Sequence, residues 1–230
     1  MQLEGFDRKT QDELSQGNLY STDQRILDKL YLTIEKMNTH LDNFEYGLAK
    51  IAFEEFFWAD FCDNYLELIK VRLYKPELFD EGERKKKSGQ QTLWKVFEAI
   101  IRLIAPYLPH VTEEIYQEYF MKYPNFDHVP TSIHKTKYPE VSDKMWAYDL
   151  VEQMKVLQNN MQITLEIVEM VRRYKSESQI SMGAELSKLV ITASEEERKA
   201  IQLFEDDVKG VTKAKEIEWQ EGSLGVECVQ

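Results

Sequence analysis

Apolar residues recur every three to four positions through most of the first three quarters of this 230-residue chain, the spacing of amphipathic helices. Ser21-Thr22-Asp23-Gln24 reads as a helix start with a capping box, serine first and glutamine three later. Ile26, Leu27, Leu30, Tyr31, Ile34, Met37, Leu41 and Phe44 follow at helical spacing, and Gly47 reads as a break or a close helix approach. A second helix is predicted over about 48–74, ending before Pro76. Residues 76–90 read as a connection. A third helix carries Leu93, Val96, Phe97, Ile100, Ile101 and Ile104, and Pro106 and Pro109 force a turn before a further helix starts at Thr112-Glu113-Glu114. Residues 121–142 read as an irregular surface crossing, followed by a long helix from about Lys144 to Tyr174.

After Ser178 the period changes. Leu186 to Ala193 is a β-prone run, Ser194-Glu195-Glu196-Glu197 is a second capping box opening a helix through Phe204, and Lys215–Trp219 and Leu224–Val229 read as short strands. The expected fold is therefore mainly α: an antiparallel helical bundle over 1–178 with a small C-terminal α/β appendage over 179–230.

Composition narrows the class. Apolar residues make up 43% and aromatics 12%, enough for a packed core. No apolar run reaches the roughly 20 residues of a membrane helix, the polar, acidic first residues do not read as a targeting peptide, and two distant cysteines offer neither a disulfide framework nor a metal spacing. A cytoplasmic protein with no membrane partner is expected. The net charge of −12 argues mildly against nucleic acid, yet screening over about 8 Å at physiological salt leaves room for a local basic patch.

The densest stretch is FFWADFCDNYLELIK, Phe56 to Lys70. On an α-helix Trp58, Phe61, Cys62, Tyr65, Leu66 and Ile69 share one stripe, which predicts an interior face, with Asp60, Asp63 and Glu67 opposite. Cys62 reads as a small hydrophobe with no histidine nearby to make it a nucleophile. Asp63 is either solvated or the partner of a buried arginine such as Arg102.

This stretch closely resembles a segment of the anticodon-binding helical bundle of valyl-tRNA synthetases. The resemblance continues in order: Asp23-Gln24-Arg25-Ile26-Leu27-Asp28-Lys29-Leu30 before it, Leu103 to Tyr116 (LIAPYLPHVTEEIY) after it, in a form shared with the isoleucine and leucine enzymes, and Val171-Arg172-Arg173-Tyr174-Lys175-Ser176-Glu177 in the form typical of the archaeal-type subgroup. Leu3-Glu4-Gly5-Phe6 resembles the tail of the bundle's first helix, so the resemblance implies a C-terminal fragment with that helix truncated. The His-Ile-Gly-His-type and Lys-Met-Ser-Lys-Ser segments of class I synthetases are not in the sequence. Gly82 to Gly89 (GERKKKSG) lacks both the methionine-serine pair of that loop and the ending of a phosphate-binding loop.

The resemblance implies a module that binds the anticodon stem-loop of tRNA(Val) for ATP-dependent aminoacylation by a catalytic domain of the same polypeptide. ATP and Mg belong to that domain, and neither a cofactor nor a catalytic or metal-binding residue is expected here. A monomer is expected. RNA binding requires cations tracking the backbone and side chains that stack on splayed bases. The candidate cations are Lys70, Arg72 and Lys75; the Arg84, Lys85, Lys86, Lys87 island; and Arg172, Arg173 and Lys175. Their bland reading is helix-dipole complementation or a solvated face. Tyr74 and Tyr107 are candidate stacking residues or core edge. His40, His110, His128 and His134 show no metal spacing, and Glu113-Glu114 read as first-turn acids. The alternatives are the same module of an isoleucine enzyme, a helical protein–protein interaction module, and a small enzyme with an unrecognised site.

Overall fold

The computed structural model of the chain describes residues 19–121, 130–141 and 151–229. The expected helix remnant at Leu3–Phe6, most of the 121–142 crossing with His128, and the expected start of the long helix at Lys144 lie outside the described residues. The fold is mainly helical with one three-stranded sheet near the end of the chain. Two compact units are present, one formed by the described parts of 1–19, 26–63 and 87–149, the other by those of 20–25, 64–86 and 150–230.

Helix α1 (Ser21–Asp42) buries Ile26, Leu30, Ile34 and Met37 completely, a face that repeats every three to four residues as predicted. Phe44 lies beyond its end, and Gly47 falls in helix α2 (Tyr46–Glu55) with open space around it, so it marks no close approach. After α2 the chain winds as a π-helix over Phe56–Tyr65 and returns to α-helix in α3 (Leu66–Tyr74). The π-winding corrects the expected stripe. Residues five apart now share a face: Phe56 and Phe61 are buried, while Trp58 is 60% exposed and Cys62 and Leu66 are half-buried. Burial, with Asp63 beside it, pushes the Cys62 thiol up, the opposite of activation. Asp63 itself is exposed, and Arg102 instead pairs with Glu98 and donates to the Lys137 carbonyl.

Helix α4 (Gly82–Ile104) begins well before the predicted connection was due to end, so the lysine island sits in its first turns. Lysine and arginine are good helix formers, and Gly82 is required at the start: a Cβ there would lie 1.8 Å from the Pro76 carbonyl oxygen. Helix α5 (Pro109–Ile115) also starts early, with Pro109 at the first helical position. It runs into a π turn (Tyr116–Phe120), whose Phe120 and Tyr116 join Trp94, Ile101, Ala105 and Ile133 in the core of the first unit.

The second unit contains α3, α6 (Val151–Glu177), α7 (Glu195–Gln202), α8 (Glu205–Thr212) and the strands β1 (Lys188–Ala193), β2 (Ile217–Glu221) and β3 (Gly225–Val229). The capping box at Ser194 and Glu197 is formed as predicted. Strand β1 is central, parallel to β2 and antiparallel to β3. Leu189 and Ile191 on one face of β1 bury against Ile167 and Val171 of α6 and Ile201 and Val208 of the two short helices. Helix α8, which the sequence pattern did not announce, packs on α3. Gly210 makes this approach possible, since a Cβ there would meet Val71 at 3.1 Å.

Two buried charge clusters hold this unit. Arg72 of α3 is fully buried. Its Nη2 donates to Asp23 Oδ1 at 2.5 Å, Nη1 to Asp23 Oδ2 at 2.8 Å and to the Lys85 carbonyl at 2.7 Å, and Nε to Asp207 Oδ1 at 3.0 Å. Tyr65 Oη donates to Asp23 Oδ1 at 2.8 Å, and the Tyr20 ring covers the guanidinium at 4.9 Å. The second is Lys175 of α6, also buried, whose Nζ donates to the carbonyls of Thr212 (2.9 Å), Ala184 (2.7 Å) and Met182 (3.2 Å). The Thr212 carbonyl lies in the last turn of α8, where a cation is favoured.

One guanidinium here faces two buried carboxylates, and burial drives the Asp207 carboxyl up to about 6 despite the pull of Arg72. Asp207 Oδ1 is the oxygen that accepts from Arg72, and Oδ2 is buried away from the guanidinium. The folded chain thus binds a proton that the unfolded chain, with an ordinary aspartate, releases above about pH 4. This contribution to stability is fully present below about pH 4 and is lost as the pH rises through about 6, an effect on the order of 2 kcal/mol. Asp207→Asn fixes the neutral form. Denaturant unfolding of both chains between pH 4.5 and 7.5 should show the wild type losing stability relative to the variant as pH rises; parallel curves would refute the assignment. Lys175→Met, which keeps the apolar stem but leaves three carbonyls unpaired, is expected to destabilise the chain by about 2–4 kcal/mol in the same assay.

Candidate nucleic-acid interface

The predicted cations separate by burial. Arg72 and Lys175 are interior residues whose polar atoms are engaged by the partners just described. Lys85 is largely covered by its ion pair with Asp206 and lies 5.4 Å over the Tyr20 ring. Arg84 is exposed and paired with Glu81 at 2.6 Å. Lys86 is half-buried, Lys87 and Arg173 are exposed.

Lys70, Lys75 and Arg172 do come together, along a groove in the second unit. One part of it, about 700 Å³, runs between the end of α3 and the α8–β2 region and is lined by Lys70, Tyr74, Lys75, Lys209, Lys213 and Lys215 among others. An adjoining part of about 480 Å³ includes Arg172 and shares Lys70, Val71, Gly210 and Lys213 with the first. Val71 and Gly210 belong to both parts at the closest approach of α3 and α8. Of the carboxylates along the larger part, Asp206 is engaged by Lys85 and Glu185 by Lys215 at 3.0 Å, while Asp80 is exposed. Lys70 holds Glu67 at 3.3 Å on the exposed face of α3, and Lys209 holds Glu205 at 2.9 Å. Lys75 and Lys213 have no ion pair among the described residues. Lys209, Lys213 and Lys215 lie outside the set of cations predicted from the sequence. Their signal was the run VKGVTKAK, three lysines at short intervals in an acidic chain.

A different surface lies in the first unit. Between α1 and α2, Phe44 adopts φ 60°, a left-handed conformation that a phenylalanine rarely takes. Its ring is 77% exposed and meets Tyr46 edge-on at 6.4 Å. Tyr107, in the turn after α4, donates its hydroxyl to the Tyr46 carbonyl at 2.7 Å, fixing the two connections together. Leu108 is also exposed. His40 at the end of α1 contacts Glu45 at 2.7 Å. The result is a rigid projecting group of aromatic and apolar side chains, of the kind on which bases stack.

The other candidates have structural roles. Glu113 accepts from Ser132 Oγ and from the Ile133 backbone, each at 2.9 Å, and from Gln117. Desolvation is the largest single influence and acts to raise its carboxyl, but these bonds, with His134 nearby, together outweigh it and hold the group below its ordinary range. It is a brace for residues 130–135, more than a first-turn acid. His110 is exposed, and His134 donates or accepts at the Pro109 carbonyl, 3.2 Å away. Among the described residues no three His, Cys, Asp or Glu side chains cluster to hold a metal, and no helix is long and apolar enough to cross a membrane.

Comparison with known proteins agrees with the motif order. Residues 23–191 match the family model described as the anticodon-binding domain of tRNA ligase. The valine–tRNA ligase of Methanopyrus kandleri is 35% identical over 216 residues, covering 93% of this chain and 22% of that protein. The valine–tRNA ligase of a Wolbachia species from Brugia malayi is 34% identical over 209 residues, covering 87% and 22%, and that of a Nostoc species is 31% identical over 208, covering 87% and 18%. The chain spans about a fifth of the length of these relatives, a share that corresponds to the anticodon-binding part and not to the catalytic one. With its helices, its motif order and more than half its length matched by one family, this chain belongs to the anticodon-binding domains of tRNA ligases.

Proposed function

We propose that the chain grips the anticodon stem-loop of tRNA(Val) within a valine–tRNA ligase, and that the Phe44–Tyr46–Tyr107–Leu108 projection supplies the surface on which unpaired loop bases stack. The match of residues 23–191 to the anticodon-binding family carries the reading. The names of the relatives favour valine over isoleucine. The strained, exposed Phe44 supports the choice of surface, because an unfavourable backbone conformation that presents an apolar ring to solvent is the kind of strain that functional sites retain. Valine activation with ATP and Mg belongs to a catalytic domain of the same polypeptide. The working setting is the cytoplasm, and the module acts as a monomer.

The test is fluorescence anisotropy with two labelled hairpins of identical stem, one carrying the tRNA(Val) anticodon loop and one a short closed tetraloop. The chain should prefer the anticodon loop, and Phe44→Ser with Tyr46→Ser should remove that preference by about 1–3 kcal/mol, the worth of one stacked base. Pyrophosphate exchange with valine and ATP should stay at background. Failure of the wild-type chain to bind either hairpin, or exchange above background, would overturn the reading.

A further inference from the structure

The groove between α3 and the α8–β2 region is not explained by the fold. Structural cations in this chain are saturated: Arg72 by two carboxylates and a carbonyl, Lys175 by three carbonyls. Along the groove the balance is different. Two of the three carboxylates of the larger part are already engaged, by Lys85 and Lys215, which leaves Lys75 and Lys213 as unpaired cations on its wall. Both line the larger part of the groove together with Glu185, whose ion-pair partner is Lys215 at 3.0 Å.

Lys213 carries a second signal. It is the C-cap of α8 at φ 60°, the position where glycine ends a helix without strain. A lysine there forgoes that advantage and points to a use for its charge. Tyr74, 56% exposed at the end of α3, adds a flat amphipathic ring to the same wall. Gly210 lets α8 approach Val71 of α3, and lysines from the ends of both helices line the same groove.

We infer that this groove is a track for the ribose-phosphate backbone of an RNA stem, with Lys70, Lys75, Lys209 and Lys213 as the phosphate-facing cations and Tyr74 against the sugar edge. The inference rests on the tRNA-binding reading for its choice of RNA over an acidic protein. Such a track reads no sequence, so it contributes affinity, whereas the loop-stacking surface contributes discrimination.

The same two hairpins separate the claims. In the 230-residue chain, Lys75→Gln combined with Lys213→Gly should weaken both hairpins equally, by on the order of tenfold at low salt, and should lower the slope of log affinity against log salt by about two. Glycine suits φ 60°, so the Lys213→Gly chain alone should melt no lower than wild type, which separates a binding loss from a folding loss. Lys75→Arg with Lys213→Arg should bind as wild type. Unchanged affinity and slope in the double variant, with the wild type still binding, would overturn the groove and leave the anticodon reading standing. Loss confined to the anticodon-loop hairpin would also overturn it, since a backbone track cannot tell loops apart. Absence of any wild-type binding would overturn both. If polyglutamate competed for the groove and the double variant lost only the peptide, the groove would be an acidic-protein surface instead.

Discussion

Arg72 is the constraint on which the second unit depends. A buried guanidinium is costly in proportion to the solvation it loses, and only a near-complete set of hydrogen bonds offsets that cost. The set is supplied by segments far apart in sequence: Asp23 at the start of α1, the Lys85 carbonyl in the first turns of α4, and Asp207 in α8. Replacing the whole cluster by apolar side chains would not obviously weaken the protein. Removing one member would, because the others would be left charged and dry. Within the second unit the cluster therefore ties α3 and α8 to residues 20–25 and 82–86 through one shared guanidinium. Burial, with the Asp23 carboxylate adding to it, is what raises Asp207 to about 6 against the pull of Arg72.

The π-helical stretch ends on a member of this cluster, Tyr65. Phe56, Phe61 and Tyr65 are separated by five and four residues, and all three are buried. The predicted α-helical stripe put Trp58 on the inner face; in the π-wound stretch Trp58 is exposed, and at its end Tyr65 Oη donates to Asp23 at 2.8 Å. Tyr65 of the FFWADFCDNYLELIK stretch thus makes a buried hydrogen bond, and Cys62 within it is half-buried with a thiol raised rather than activated.

What was legible in the sequence follows from this. Helices long enough to repeat their apolar face several times, such as α1, α4 and α6, were readable from period alone, as were the three strands and the second capping box, whose signals lie within a few residues. Helix α4 began earlier than expected because ERKKKSGQ resembles a loop in composition while being helical in propensity. Helix α8 is too short to show a period. The site was less legible. Burial of a cation is decided by partners 49 and 135 residues away in the case of Arg72, so no local pattern distinguishes Arg72 or Lys175, which are interior, from Lys70 and Lys75, which face the groove. Nor does the sequence announce a left-handed backbone at Phe44 or Lys213, since neither residue type favours it.

An acidic chain that binds a polyanion raises an apparent conflict, and geometry resolves it. Beyond a Debye length of about 8 Å the charges of the chain are largely screened from an incoming phosphate. What counts is the balance within the groove, and there the carboxylates are matched first: Asp206 by Lys85, Glu185 by Lys215. Lys75 and Lys213 hold no carboxylate among the described residues, so a phosphate that meets them replaces no existing ion pair, whereas Lys70 and Lys209 would each share theirs. A cation such as Arg84, equally exposed but held 2.6 Å from Glu81, must give up a partner to gain one. The distinction between a solvated face and a binding track therefore lies in which cations the fold leaves without a carboxylate, and not in how many lysines stand next to one another in the sequence.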